Sequence, residues 1–359
     1  MPAAPPPLLI DAVFVLRTAL LRTADRLLPA PVILWNAALG IESTHVLGTF
    51  AELGVADALD GRRRTAAELA PELGADPDML HRMMRAAAVH GIVRLDRRGR
   101  FRLTRLGRAL RSDATLSARS FARFMALPSM VSAWTGLTDG VRDGRSAFRR
   151  VHGDSIWDWF AAHPEEGELF GAAMRSFTQL DAPAIAAADL WPDEGTVCDI
   201  GGGIGTLLAA LLADRPSLRG VLVDSPTMIA QAEVNLTRHG LRDRVELVAG
   251  DLFGELSAEA NVYVLKNVLH DWDDETCARI LRTARARMRD GARLVVIEQL
   301  QERNRPHPLA SSGDILMFIQ CDEGRERSRA ELHQLLRAAG LRPGRVERAS
   351  ASALLEATA

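Results

Sequence analysis

Between residues 35 and 110, apolar positions recur at spacings of three and four, as in VLGTFAELGVADAL and MLHRMMRAAAVHGIV, and this period predicts helices. Thr65 before AAEL, with Glu68 three residues on, forms a capping-box pattern, and Asp76 followed by Pro77 opens the next helix. GIVRLDRRGRFRLT then reads as two short strands joined by an Arg-Arg-Gly turn. Helix, helix and hairpin in that order predict a winged-helix module. Upstream, LLIDAVFVLRTALL (residues 8 to 21) reads as an amphipathic helix whose apolar side needs cover, from another subunit or from its own chain. From 112 to 185 the pattern stays helical, with breaks at His152-Gly153 and His163-Pro164.

The period changes near residue 186. TVCDI runs into GGGIG and a helix, and RGVLVDSP, RVELVAGDLF, NVYVLKNVLH and ARLVVIEQL follow as strands separated by helical segments. Strand alternating with helix predicts an α/β fold, a Rossmann-like doubly wound sheet that binds ligands beyond the carboxyl ends of its strands. The expected division is a winged-helix domain over 1–111, a helical linker contributing to a substrate pocket over 112–185, and the sheet domain over 186–359.

Composition adds exclusions. With 359 residues, 47% apolar and 25% charged, the chain can bury a sizeable core. A formal charge of -2 gives no general bias toward nucleic acid or an anionic membrane. Asp11 and Arg17 interrupt the first apolar stretch, and no basic segment precedes it, which argues against an export signal or a membrane span. Cys198, Cys277 and Cys321 are too scattered for a disulfide framework or a zinc site and fit a reducing cytoplasm. One local imbalance supports a rival function: residues 82 to 111 hold ten arginines and a single acid, Asp96, a pattern open to phosphate binding by a ligand-sensing DNA-binding protein. Acids crowd the preceding segment, so pairing with them, or a solvated face, is the plainer explanation for the arginines.

The chemistry collects at the strand ends. Gly201, Gly202, Gly203 and Gly205 follow the first strand, and Thr206 breaks the dinucleotide pattern GxGxxG, which disfavours a nicotinamide cofactor. Asp224 ends the second strand, where a carboxylate can accept both hydroxyls of a ribose. Asp251 ends the third and can accept from an adenine amine, with Leu252 and Phe253 beside the ring. An adenosine without a pyrophosphate points to S-adenosylmethionine. Lys266, the only lysine in the chain, ends the fourth strand, where its ammonium can reach that ligand's carboxylate. His270 follows among carboxylates; Glu298 ends the next strand, and Glu326 lies on a later loop. A carboxylate on one ring nitrogen would leave the other as a base. A metal at HDWDD is disfavoured, because the histidine would be consumed as a ligand.

These motifs resemble the caffeate and acetylserotonin type of metal-independent O-methyltransferases over nearly the whole chain. DIGGGIG resembles the family's glycine motif, VLVDSP its ribose acid and GDLF its adenine contact. LKNVLHDWDDE resembles the segment with the cofactor-contacting lysine and catalytic histidine, and VVIEQ and GRERS supply its two glutamates. The resemblance implies a homodimer built by the winged-helix domain and His270 removing a hydroxyl proton as the oxygen attacks the methyl. It also implies an acceptor pocket drawing on Met174, Phe177, Asn267 and Met317, with Phe318 and Cys321 nearby. A histidine near pKa 6.5 lies about 3.5 pH units below a phenol and about 9 below water, so an aromatic hydroxyl is the expected acceptor. N-methylation, or non-methylating chemistry with the same cofactor, is the alternative.

Overall fold

The structure, a computed structural model, describes residues 7–250, 252–254 and 259–359. Its contacts divide the chain into a larger unit, Met1–Leu16, Ser132–Gly171 and Phe177–Ala359, and a smaller one, Arg17–Val131 with Ala172–Ser176.

The smaller unit is helical apart from one hairpin, β1 (Val93–Leu95) and β2 (Phe101–Leu103), paired antiparallel. Both anticipated caps form. The Thr65 side chain accepts from the Glu68 N–H while Glu68 accepts from the Thr65 N–H, and Asp76 accepts from the Met79 N–H. Phe50, Leu59, Leu69, Met84 and Phe101 are wholly buried, so the period-3.6 stripes and the hairpin share one core. Of the ten arginines between 82 and 111, Arg100 pairs with Asp96 and Arg111 with Asp60 and Asp113. The other eight are exposed, a solvated face rather than a set of pairs with the preceding acids. Of the preceding acids, Asp57 instead holds Arg119 and Glu52 holds Arg123.

The larger unit contains the sheet. β3 (Glu194–Ile200), β4 (Ser217–Asp224), β5 (Val245–Ala249), β6 (Val262–Lys266) and β7 (Arg293–Glu298) are mutually parallel. The strand order is β5-β4-β3-β6-β7-β9-β8, with β8 (Arg342–Ala349) and β9 (Ser352–Thr358) as a C-terminal hairpin whose β9 runs antiparallel to β7. Alternation along each strand feeds two cores: Cys198, Tyr263, Leu265, Leu294 and Val296 face one layer, and Val197, Val262, Val264, Val295 and Ile297 the other. Every residue of β6 except Lys266 is buried, so the lysine marks the point where the strand leaves the core.

Two long helices qualify the sequence reading. The first described helix spans Pro7–Asp25; in it Asp11 accepts from Arg348 on β8, while Val13, Val15, Leu16 and Leu20 stay exposed. The helices Ala147–His152 and Ile156–Ala162 end where Gly153 and His163-Pro164 were expected to break them, and Pro164–Ala186 then runs unbroken. No helix among the described residues is long and apolar enough to cross a membrane.

Candidate active site

At the end of β3 the chain turns through Gly201, Gly203 and Gly205 with φ of 70°, 59° and 75°, a left-handed conformation that side chains with a Cβ resist. A Cβ on Gly202 would come within 2.5 Å of the Asp199 carboxylate, whereas one on Gly203 would meet nothing within 4 Å. The turn is therefore closed on the protein side and open at Gly203. Asp224 holds it in place by accepting from the Gly203 N–H at 2.8 Å and from the Ser225 N–H at 2.7 Å. Beneath lies Asp199, which the sequence reading missed. It is 1% exposed, both its oxygens lack a hydrogen-bond partner, and burial raises it to about 7. A buried, unpartnered carboxylate next to an open glycine turn fits a cationic ligand with donor groups, as S-adenosylmethionine is.

Leu252 and Phe253 are half-buried beside this end of the sheet, Phe253 edge-on to Trp272 and under the Arg279 guanidinium at 4.3 Å. Asp251 lies outside the described residues. Lys266 is only 7% exposed at its side chain; its ammonium donates to Thr178 Oγ1 at 3.3 Å and sits 3.5 Å from Asp181 Oδ2. Both partners belong to the helix Pro164–Ala186, so the lysine joins that helix to the end of β6.

The 3-10 turn Leu269–Asp271 carries the histidine. Glu326 Oε1 accepts from His270 Nδ1 at 3.0 Å, and Glu298 Oε2 lies 3.7 Å from the same nitrogen. Glu298 uses its other oxygen to accept from the Leu269 N–H at 2.9 Å, fixing the turn that bears the ring. Asp271 Oδ1 is 3.5 Å from Nε2, and Cys321 Sγ donates to that same oxygen at 3.4 Å. Burial opposes a charge on the ring, but the carboxylates of Glu298, Asp271 and Glu326 outweigh it and push His270 up to about 10. Burial in turn raises Glu298 to about 7 and Asp271 to about 6. Ligand atoms of His270, Glu298 and Glu326 lie within 4.8 Å of one another, a set that can also hold a cation. Direct hydrogen bonding already accounts for the Nδ1 contact with Glu326 and for one oxygen of Glu298.

The acceptor candidates are less gathered. Phe177 is 42% exposed on its helix, and Met174 falls in the stretch of that helix that groups with the smaller unit. Asn267 has a φ of 52° and a buried Oδ1 with no partner, while its N–H donates to the Ile297 carbonyl. Met317 and Phe318 are half-buried near the end of the helix Pro308–Gln320. Gly313, earlier on that helix, leaves room for Glu326: a Cβ there would lie 3.2 Å from Glu326 Oε1.

Residues 134–342 match the O-methyltransferase domain and residues 35–113 the O-methyltransferase dimerisation domain. The chain belongs to the O-methyltransferase family. Its members use S-adenosylmethionine, so this methyltransferase is an enzyme with that cofactor. The match to the dimerisation domain covers the winged-helix region and its exposed arginines. O-demethylpuromycin-O-methyltransferase of Streptomyces alboniger is 36% identical over 312 residues, 86% of this chain and 82% of that protein. An 8-amino-8-demethylriboflavin N,N-dimethyltransferase of Streptomyces davaonensis is 35% identical over 304 residues, 84% of this chain and 87% of its own. The methyltransferase also resembles the crystal structure of NcsB1, from neocarzinostatin biosynthesis, in complex with S-adenosylmethionine and 2-hydroxy-5-methyl naphthoic acid. The TM-score is 0.77 with 32% identity, covering 88% of this chain and 96% of that one.

Proposed function

We propose that this methyltransferase alkylates the hydroxyl of a small aromatic molecule in bacterial natural-product biosynthesis, with His270 as general base. The observation that carries the reading is the 3.0 Å contact between His270 Nδ1 and Glu326 Oε1. Glu326 fixes the tautomer and stabilises the imidazolium, which leaves Nε2 to take the proton. Bound S-adenosylmethionine supplies an electrophilic methyl on sulfur. Gly201, Gly203, Asp224, Asp251, Leu252 and Phe253 would hold its adenosine. Lys266 orders the adjoining helix through Asp181 and Thr178 and lies near enough to the strand end to meet the ligand's carboxylate. Phe177, Asn267 and Met317 would line the acceptor side. Positioning does the rest of the work, because the acceptor oxygen must already be aligned for in-line attack on the methyl, a contribution of about 7 kcal/mol or more.

The dimerisation domain supports a homodimer, and the 2-hydroxy-5-methyl naphthoic acid in complex with NcsB1 supports a flat phenolic substrate. Three buried free cysteines suit the cytoplasm. The likeness to a dimethyltransferase acting on an amino group favours one second reading, N-methylation on the same scaffold.

The test is a panel of phenolic, naphthoic and phenazine hydroxyl acceptors and their amino counterparts, assayed with radiolabelled methyl donor in EDTA. The expected result is O-methyl product with the intact protein and loss of turnover by at least about 10²-fold in His270→Gln. Full turnover in that variant removes the base, product labelled only on nitrogen selects the second reading, and abolition by EDTA points to a metal on the trio.

A further inference from the structure

We propose that Arg327 is a positioning residue for the base: its guanidinium straps the backbone on both sides of His270 and thereby sets the meeting of Nδ1 with Glu326. This inference rests on the reading of His270 as base.

The histidine rides on a turn of three residues, Leu269–Asp271, too short to hold its own geometry. Its restraints come from outside. Arg327 Nη1 donates to the Leu269 carbonyl at 2.7 Å, Nη2 donates to the Trp272 carbonyl at 2.7 Å, and Nε donates to Asp274 Oδ1 at 2.9 Å. The intervening His270 carbonyl accepts from the Arg325 N–H at 2.8 Å. Three carbonyls of the turn and its exit therefore end on a single segment, 325–327, whose middle residue is the ring's own partner. That segment is anchored in turn: Gln301 N–H donates to the Arg327 carbonyl at 3.1 Å, tying it to the chain just beyond β7, which bears Glu298.

The Arg327 side chain is 1% exposed, yet its only carboxylate partner among the described residues, Asp274, is 56% exposed. Burying a cation against one half-solvated acid and two neutral carbonyls is costly, and an aliphatic residue would fill the volume at lower cost. What an aliphatic residue cannot do is span two carbonyls three residues apart. The planar fork does so rigidly, whereas a lysine ammonium would reach one and leave the other to weaker donors such as the Cys277 thiol, which lies 3.1 Å from the Leu269 carbonyl and 3.6 Å from that of Trp272. The strap and the glutamate are adjacent in sequence, so one dipeptide holds both the ring and the backbone under it.

The experiment compares Arg327→Lys with the wild type, with Arg327→Gln as a second variant that spans at most one carbonyl. A displacement near 1 Å at the base costs about 10²-fold in kcat. Expected are a fall in kcat of that order, KM for acceptor and Kd for S-adenosylhomocysteine each within about threefold of wild type, and an altered pH profile. The groups facing the ring are Glu298, Asp271 and Glu326. Loosening the last of these moves the rising limb of kcat/KM toward neutral pH. A lysine variant with wild-type kcat, or one whose kcat falls only as S-adenosylhomocysteine affinity falls while the limb stays in place, overturns the strap. His270→Gln is run alongside: if it is active the base reading fails, and if it is inactive while Arg327→Lys is unaffected, only the strap fails.

Discussion

Replacing Glu326 with glutamine keeps the shape of the partner of His270 and removes its charge. At the observed 3.0 Å, the Coulomb attraction between carboxylate and imidazolium is about 5 to 6 kcal/mol at an effective dielectric near 20. Desolvation offsets much of it, and charge-assisted hydrogen bonds are worth about 1.5 to 3 kcal/mol net. Since one pH unit corresponds to about 1.4 kcal/mol, Glu326→Gln should lower the pKa of the ring by about one to two pH units. The sign matters for activity. In the wild type the ring is pushed up to about 10, so it is protonated at neutral pH and the active fraction grows as pH rises toward that value. The variant ring gives up its proton earlier but is a weaker, less firmly oriented base. The expected profiles of kcat/KM at saturating cofactor therefore lie close together near pH 7 and separate by about 10- to 100-fold near pH 10, with the variant levelling off first. The cationic cofactor lowers both limbs and leaves the difference. Glu298→Gln should cost less, because an amide oxygen can still accept from the Leu269 N–H and Glu298 Oε2 stands 3.7 Å from the ring. The opposite ranking of the two glutamate variants, or a constant ratio of Glu326→Gln to wild type at every pH, would show that the Glu326 charge does not set the basicity of the ring.

Two further outcomes concern the cofactor end. Gly202→Ala places a Cβ 2.4 Å from Leu222 Cδ1 and 2.5 Å from Asp199 Oδ2, so about 1 to 3 kcal/mol should be lost in urea unfolding and S-adenosylhomocysteine binding should weaken by calorimetry. Gly203→Ala, with open space but a φ of 59°, should lose only about 1 kcal/mol; equal losses at the two positions would contradict the geometry. Lys266→Met leaves Asp181 with the Ser352 hydroxyl but no cation beside it and should cost up to about 3 kcal/mol, most of it recovered by adding Asp181→Leu, and an unchanged unfolding midpoint in the single variant would show that the pair carries no weight.

Much of this was legible in the chain because each feature is local or periodic. The glycines announce the first turn, the apolar runs ending in Asp224 and Glu298 announce their strands, and an isolated histidine among acids draws attention to itself. What escaped depends on pairings across long separations. Asp199 looks like one more strand residue until its two oxygens are seen to lack partners. Lys266 read as a ligand contact, and its tie to Asp181 needs 85 residues of chain to be folded first, as the difference between the two numbers shows. Arg327 is one of many arginines in the sequence, and only the carbonyls it spans distinguish it. β8 was unreadable for a different reason: Arg342, Arg345, Glu347 and Arg348 leave no alternation for an edge strand to announce.

The hairpin at the end of the sheet has a consequence for assembly. β9 lies between β7 and β8 and sets Glu298 opposite Ala353, so a segment that follows both His270 and the two glutamates in the chain is also an interior slat of the scaffold. A nascent chain that has emerged only as far as β7 therefore carries the imidazole and Glu298 but not Glu326, and leaves the flank of β7 open. Shortening the polypeptide ahead of Ser352 should remove the neighbour of Glu298 and leave an unpaired, apolar strand ready to seek one elsewhere.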